Sequence, residues 1–143
     1  ENLAANLSLL TQQITSHPET TFKIFMPPYS MLWWDSVYRS GETDAYLYNM
    51  KVAMSELLTY DNVEFYFFMN DREVVTNLNN YMDLLHFSQD INEYIYHCLA
   101  EDSHRVTIEN YEEVMDDMGS FAYEVVNELV LPYEDRILVD IYE

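Results

Sequence analysis

Apolar residues recur every three or four positions in the first sixteen residues of the chain, which is the spacing of an amphipathic helix. The pattern predicts a surface helix over Asn2–Ser16, followed directly by His17-Pro18. Proline has no amide proton and restricts the residue before it, so we expect the helix to end there. Its apolar face comprises Leu3, Leu7, Leu10 and Ile14.

Two segments have the length and composition of β-strands, and a helical pattern separates them. Residues 21–26 are mostly aromatic or branched and stop at Pro27-Pro28, and residues 63–68 are almost entirely apolar. Between them, residues 43–58 predict a helix that begins shortly after Gly41. The alternation of helix and strand predicts parallel strands joined by right-handed crossovers.

The second half of the chain predicts mainly helix. Residues 71–78 suggest a helical turn, residues 89–100 a helix capped by Ser88, and residues 108–130 a longer helix capped by Thr107. On the last helix, one face is apolar and is expected in the core. The opposite face is acidic and expected to be solvated, and it comprises Glu112, Glu113, Asp116 and Asp117.

Residues 29–38 follow the first strand and are unusually aromatic for a connection. Tyr29, Trp33 and Trp34 have two alternative roles in this segment. They line a substrate pocket, because aromatic surfaces bind acyl chains and sugar rings, or they cover one end of the core.

The 143 residues are 49% hydrophobic, which is enough for one domain with its own core. Asp and Glu number 26 against 6 Lys and Arg, and the net charge is −20. This balance argues against nucleic-acid binding, since a phosphate backbone requires clustered basic side chains. It also disfavours anionic membrane surfaces, and no apolar run has the length of a transmembrane helix.

The sequence offers no convincing metal ligands. The single cysteine, Cys98, rules out an intrachain disulfide and a cysteine-based zinc cluster, and its place in the apolar pattern predicts a buried thiol. His17 and His104 are expected in solvated loops and His97 on a helix, without zinc-ligand spacing. We therefore expect no metal.

The strongest candidate chemistry lies in a loop just ahead of a helix, where Asp83 stands three residues before His86. The carboxylate can accept a hydrogen bond from one ring nitrogen and leave the other free as a general base. The alternative is a local salt bridge or cap. A nucleophile is not apparent. Ser30, after the first strand, is the best internal candidate, and its alternative role is a turn serine that bonds nearby backbone.

Two blocks carry a family resemblance: Phe22-Lys23-Ile24-Phe25-Met26-Pro27-Pro28-Tyr29-Ser30 and Asp83-Leu84-Leu85-His86-Phe87-Ser88. They are similar to a late core strand with its loop and to the last Asp-x-x-His block of SGNH (GDSL-like) hydrolases, especially bacterial cell-envelope members. The resemblance implies an α/β chain with a flavodoxin-like, three-layer α/β/α arrangement. It also implies that residues 1–143 form a single domain that is the C-terminal part of a larger one.

By this resemblance, Asp83 orients His86, and His86 is the base of a serine esterase or acyltransferase. Its substrates would be ester-linked groups of envelope polymers or carbohydrates, and neither a metal nor an organic cofactor would be needed. The resemblance also implies an extracytoplasmic or membrane-anchored location. The Gly-Asp-Ser nucleophile block and the oxyanion blocks are absent, so we expect the chain alone to be inactive. The alternative is a non-catalytic acidic α/β scaffold or binding domain.

Two predicted strands make a thin sheet for so apolar a chain, because parallel pairing is stable only in larger, covered sheets. We therefore expect a homodimer, or a further strand formed by residues 137–139. Residues 131–143 fit three alternatives, namely an edge strand, a short helix or an adhesive terminus.

Overall fold

A computed structural model of the protein describes residues 2–133. It is mixed α/β, with six α-helices and a three-stranded sheet in the described part. In chain order the elements are α1 (Asn2–Ser16), β1 (Phe22–Met26), α2 (Met31–Arg39), α3 (Thr43–Leu57), β2 (Val63–Phe67), α4 (Arg72–Val75), α5 (Gln89–Glu101), β3 (Arg105–Val106) and α6 (Tyr111–Glu124). Short helical turns follow at Leu78–Asn80, Val125–Val130 and Leu131–Tyr133.

The sheet has the order β1-β2-β3. β1 and β2 are parallel, with Phe22 opposite Val63 and Met26 opposite Phe67, so the predicted parallel pairing is confirmed. The prediction of a two-stranded, purely parallel sheet is wrong, because a third strand, β3, pairs with β2 in the antiparallel direction. A strand of two residues is too short to show an alternating pattern in the sequence.

β2 is covered by helices on both faces, because successive side chains of a strand point to opposite sides. Phe65 and Phe67 belong to a large buried cluster that also contains residues of α2, α3 and α6. Tyr66 and Phe68 belong to a second cluster, together with residues of α5. Cys98 is part of this second cluster, which confirms the buried thiol.

The aromatic segment after β1 is largely helical, so its interpretation as a connection is wrong. Ser30 caps α2, its Oγ accepting a hydrogen bond of 3.4 Å from the amide of Trp33. Trp34 and Val37, three residues apart, form the buried face of this helix. The helix was missed because it spans only nine residues, which is shorter than the stretch over which a helical period is recognised.

The last long helix begins later than predicted, at Tyr111. Thr107 does not cap it. The amide of Thr107 instead donates to Asn110 Oδ1 at 2.8 Å, and Asn110 occupies the capping position. After Glu124 the chain continues in the π-helical turn Val125–Val130. The predicted apolar face is buried from Met115 to Val125, but its last member, Leu129, is exposed.

The acidic face of α6 is solvated at three of its four positions. Asp117 is the exception, because it accepts hydrogen bonds from Asn70 at 2.8 Å and from Arg72 at 3.1 Å. The alternatives for residues 134–143 fall outside the part of the chain that the structure describes. None of the helices within residues 2–133 is long and apolar enough to cross a membrane.

Candidate functional site

Asp83 and His86 lie in a tight loop that closes like a hairpin. Tyr81 and Phe87 form an antiparallel bridge, and the amide of Met82 donates to the carbonyl of His86 at 2.8 Å. The backbone thus holds residues 82–86 in a defined turn. This turn presents Asp83 and His86 next to each other.

Asp83 uses both of its carboxylate oxygens. Oδ1 accepts hydrogen bonds from the amides of His86 and Leu85, each at 2.8 Å, and Oδ2 lies 2.6 Å from His86 Nδ1. The two amides, followed by the imidazole, lower the pKa of Asp83 to about 2. Because an ionised carboxylate only accepts hydrogen bonds, the proton of the short contact lies on Nδ1. In the neutral ring, Nε2 then carries the free lone pair.

The imidazole of His86 is accessible. Its side chain is 70% exposed, and that of Asp83 is 54% exposed. Within residues 2–133, Nε2 forms no hydrogen bond to a hydroxyl group. The pair therefore has the geometry of a general base and its orienting acid, without a nucleophile beside it.

Ser30 lies where the sequence placed it, in contact with the loop that carries His86. It is only 1% exposed, and both its amide and its hydroxyl donate to the carbonyl of Leu84, at 3.2 and 2.9 Å. Its hydroxyl hydrogen therefore bonds backbone rather than His86. Ser30 therefore caps α2 and anchors the loop to the end of β1, rather than acting as a turn serine that bonds only nearby backbone.

Two further contacts tie this loop to the ends of the strands. The hydroxyl of Tyr81 donates to the carbonyl of Pro28 at 2.9 Å. Burial raises the pKa of Tyr81, so the phenol stays protonated and remains a donor. The side-chain amide of Asn80 donates to the carbonyl of Val74 at 3.1 Å. The loop is thus attached to the segments that follow both β1 and β2.

An open groove of about 660 Å³ lies beside the loop. Tyr29 and Trp33 line it, together with Leu85 from the loop itself. The centroids of the Tyr29 and Trp33 rings are 4.9 Å apart. Trp34 does not line the groove, because it is fully buried in the core. Tyr29 and Trp33 thus pack against the core and line the groove, whereas Trp34 belongs to the core alone.

A second polar cluster lies beyond the end of β2. Tyr94 donates to Asp71 Oδ2 at 2.6 Å, and His104 Nε2 lies 3.2 Å from the Tyr94 hydroxyl and 3.4 Å from the same carboxylate oxygen. The side chain of His104 is 28% exposed and stacks on Phe68, so its expected place in a solvated loop is wrong. No sequence spacing links these residues, since only the fold brings α4, α5 and the turn before β3 together.

Potential cofactor-binding features are sparse in the described part of the chain. Residues 2–133 contain no group of three or more His, Cys, Asp or Glu side chains arranged to hold a metal ion. His104 Nδ1 is buried without a hydrogen-bond partner there. A single orphaned ring nitrogen does not define a ligand set.

Comparison with known proteins supplies no relative for this chain. No protein-family model, no curated protein and no solved structure matches it.

Proposed function

We propose that this chain supplies the base of an SGNH-like serine esterase or acyltransferase acting on ester-linked groups of envelope polymers or carbohydrates. The observation that carries the proposal is the 2.6 Å contact between Asp83 Oδ2 and His86 Nδ1 in an exposed, backbone-held turn. This contact leaves Nε2 facing outward as an acceptor. The chemistry requires no metal or organic cofactor.

In the proposed mechanism, a serine hydroxyl from outside residues 2–133 attacks the acyl carbon, and His86 Nε2 takes its proton. Asp83 stabilises the imidazolium that forms. The imidazolium then returns the proton to the departing alcohol, which leaves an acyl-enzyme. Water or an acceptor hydroxyl attacks this ester, again with Nε2 as base, and releases the serine.

The position of the pair in the fold supports the proposal. The loop contacts the segment after β1 through Ser30 and Pro28, at the carboxyl end of a parallel strand pair. Ligands of open α/β sheets bind at this edge. Together with the helices on both faces of β2, this arrangement favours a flavodoxin-like, three-layer SGNH-type domain. The groove beside Leu85 offers a place for the acyl or sugar part of a substrate.

Ester hydrolysis by the natural protein that contains this chain tests the proposal. We expect His86→Ala to lower kcat/KM for p-nitrophenyl acetate by about 10²–10⁴-fold, which is the usual contribution of a general base. His97→Ala is the matched control, because His97 is an exposed histidine on α5 without a hydrogen-bonded carboxylate in the described structure. Equal activity of His86→Ala and the wild-type protein would contradict the assignment.

The second candidate function is a non-catalytic acidic α/β scaffold or binding domain. It is favoured by the two hydrogen bonds that Asp83 Oδ1 accepts from backbone amides, because these bonds give the aspartate a structural role in the turn. A fluorophosphonate probe separates the two candidates. Covalent labelling of a serine that also needs His86 supports the enzyme, whereas the scaffold predicts no labelling.

A further inference from the structure

The groove beside the loop is lined almost entirely by apolar and aromatic side chains, with one charged exception. Glu42 is the only charged residue among those of the described chain that line it, and Asn49 is the only amide. Glu42 lies next to the amino end of α3 and is exposed. Its side chain accepts a 3.3 Å hydrogen bond from Ser40 Oγ and forms no ion pair with a basic side chain of residues 2–133.

Three aromatic rings share this groove with Glu42. Trp33 lies 5.0 Å from Tyr46 in a perpendicular arrangement and 4.9 Å from Tyr29 in a tilted one. The rings therefore point their faces in different directions, and Tyr46 is 40% exposed. The negative face of an aromatic ring attracts ammonium groups, and aromatic cages are a recurring means of binding them.

The charge of the whole chain favours the same class of ligand. The net charge is −20, so the surrounding potential concentrates cations and repels anions. The basic side chains of the described residues are engaged elsewhere in ion pairs, and none lines the groove. These pairs are Lys23 with Glu64, Arg39 with Asp35, Lys51 with Glu112, Arg72 with Asp117, and Arg105 with Asp102.

We propose that this groove binds an organic ammonium compound, with the cation between Glu42 and the rings of Trp33 and Tyr46. The apolar part of the ligand lies against Met26 and Met50. The inference rests on the lining of the groove and does not require ester turnover. A failure of ammonium binding is therefore distinguishable from a failure of His86 as base.

Binding of three small probes tests the ligand class. Choline carries the ammonium, dimethylbutanol replaces its nitrogen by carbon and is uncharged, and pivalate is an anion of similar size. Intrinsic fluorescence follows binding, because Trp33 lines the groove whereas Trp34 is buried. We expect choline to bind most tightly and pivalate not at all. Equal affinity for choline and dimethylbutanol, or tighter binding of pivalate, would overturn the proposal.

Two variants test the residues. Glu42→Gln keeps the shape of the side chain and is expected to weaken choline binding about threefold, as for a surface ion pair. Glu101→Gln, an equal change of charge at the end of α5, is the matched control and should leave the affinity unchanged. Tyr46→Ala should weaken binding by about threefold through loss of a cation–π contact. Circular dichroism verifies that each variant is folded. Equal losses for both glutamates would refute a site at Glu42.

Discussion

The two carboxylate oxygens of Asp83 have different hydrogen-bond partners and different roles. Oδ1 holds the turn by accepting two backbone amides, and Oδ2 accepts from the imidazole of His86. The same side chain thus makes the turn and orients the ring, while Ser30 and Tyr81 attach the loop to the rest of the fold. This explains why a short, exposed loop can present a histidine with a defined tautomer.

The ionisation of Asp83 tests the hydrogen bonds that its carboxylate accepts. Its folded-state pKa of about 2 lies below the value of about 3.9 for an unfolded chain. The stability it contributes is therefore complete above pH ~4 and is lost as the pH falls toward ~2. We expect the carboxyl ¹³C signal of Asp83 to titrate near pH 2. The melting temperature of Asp83→Asn should differ less between pH ~5 and ~2 than that of the wild type. A titration midpoint near pH 4 would contradict this assignment.

Among the elements, α5 is attached to the end of β2 by a partly buried polar network as well as by apolar contacts. Tyr94 on α5 donates to Asp71, which also caps α4 by accepting from the amide of Val74. Burial, and then the hydrogen bond to Asp71, raises the pKa of Tyr94 and keeps the phenol a donor. One carboxylate thus joins two helices to the segment after β2.

Removing the Tyr94 hydroxyl should destabilise the protein. In Tyr94→Phe the carboxylate of Asp71 loses its shortest hydrogen bond, and we expect the free energy of unfolding to fall by about 1–2 kcal/mol. Tyr96→Phe is the matched control, because Tyr96 is an exposed tyrosine of the same helix. Urea denaturation measures both variants. Equal stability of Tyr94→Phe and Tyr96→Phe would show that the network contributes little.

Long helices and strands with a clear apolar pattern were predicted from the sequence, and short elements were not. α1, α3, α5 and both parallel strands were predicted to within a few residues, because each has a clear period or a clear boundary. α2 and β3 were missed for opposite reasons. α2 has a clear apolar face but spans only nine residues, too few for its period to stand out, and β3 has only two residues and is defined by its partner β2.

For the whole molecule, charge is the dominant property. With 26 acidic residues against 6 Lys and Arg, most carboxylates have no basic partner. Self-repulsion of this kind keeps a protein soluble but destabilises its compact state. It also opposes the homodimer that we propose for so small a sheet, because two chains of the same charge must approach each other.

Salt should therefore stabilise the protein. Raising the NaCl concentration from about 10 to about 150 mM shortens the screening length from about 30 to about 8 Å, and we expect a higher melting temperature. Near the isoelectric point of about 4.1 the net charge vanishes and the effect of salt on the melting temperature should disappear.

Light scattering in the same buffers measures the association of chains into a homodimer. A monomer at every salt concentration would contradict the homodimer, and a salt-independent melting temperature would contradict the role of charge.

The sequence by itself determined the features that depend on neighbours along the chain. These include the helical and strand periods, the acidic charge and the meeting of Asp83 with His86, since a carboxylate reaches an imidazole three residues away within one turn. Only the tertiary structure decided the contacts between distant residues. It bonded Ser30 to Leu84, separated Trp34 from the groove and joined Asp71, Tyr94 and His104. These contacts depend on how the elements pack around the sheet, and no local pattern encodes that packing.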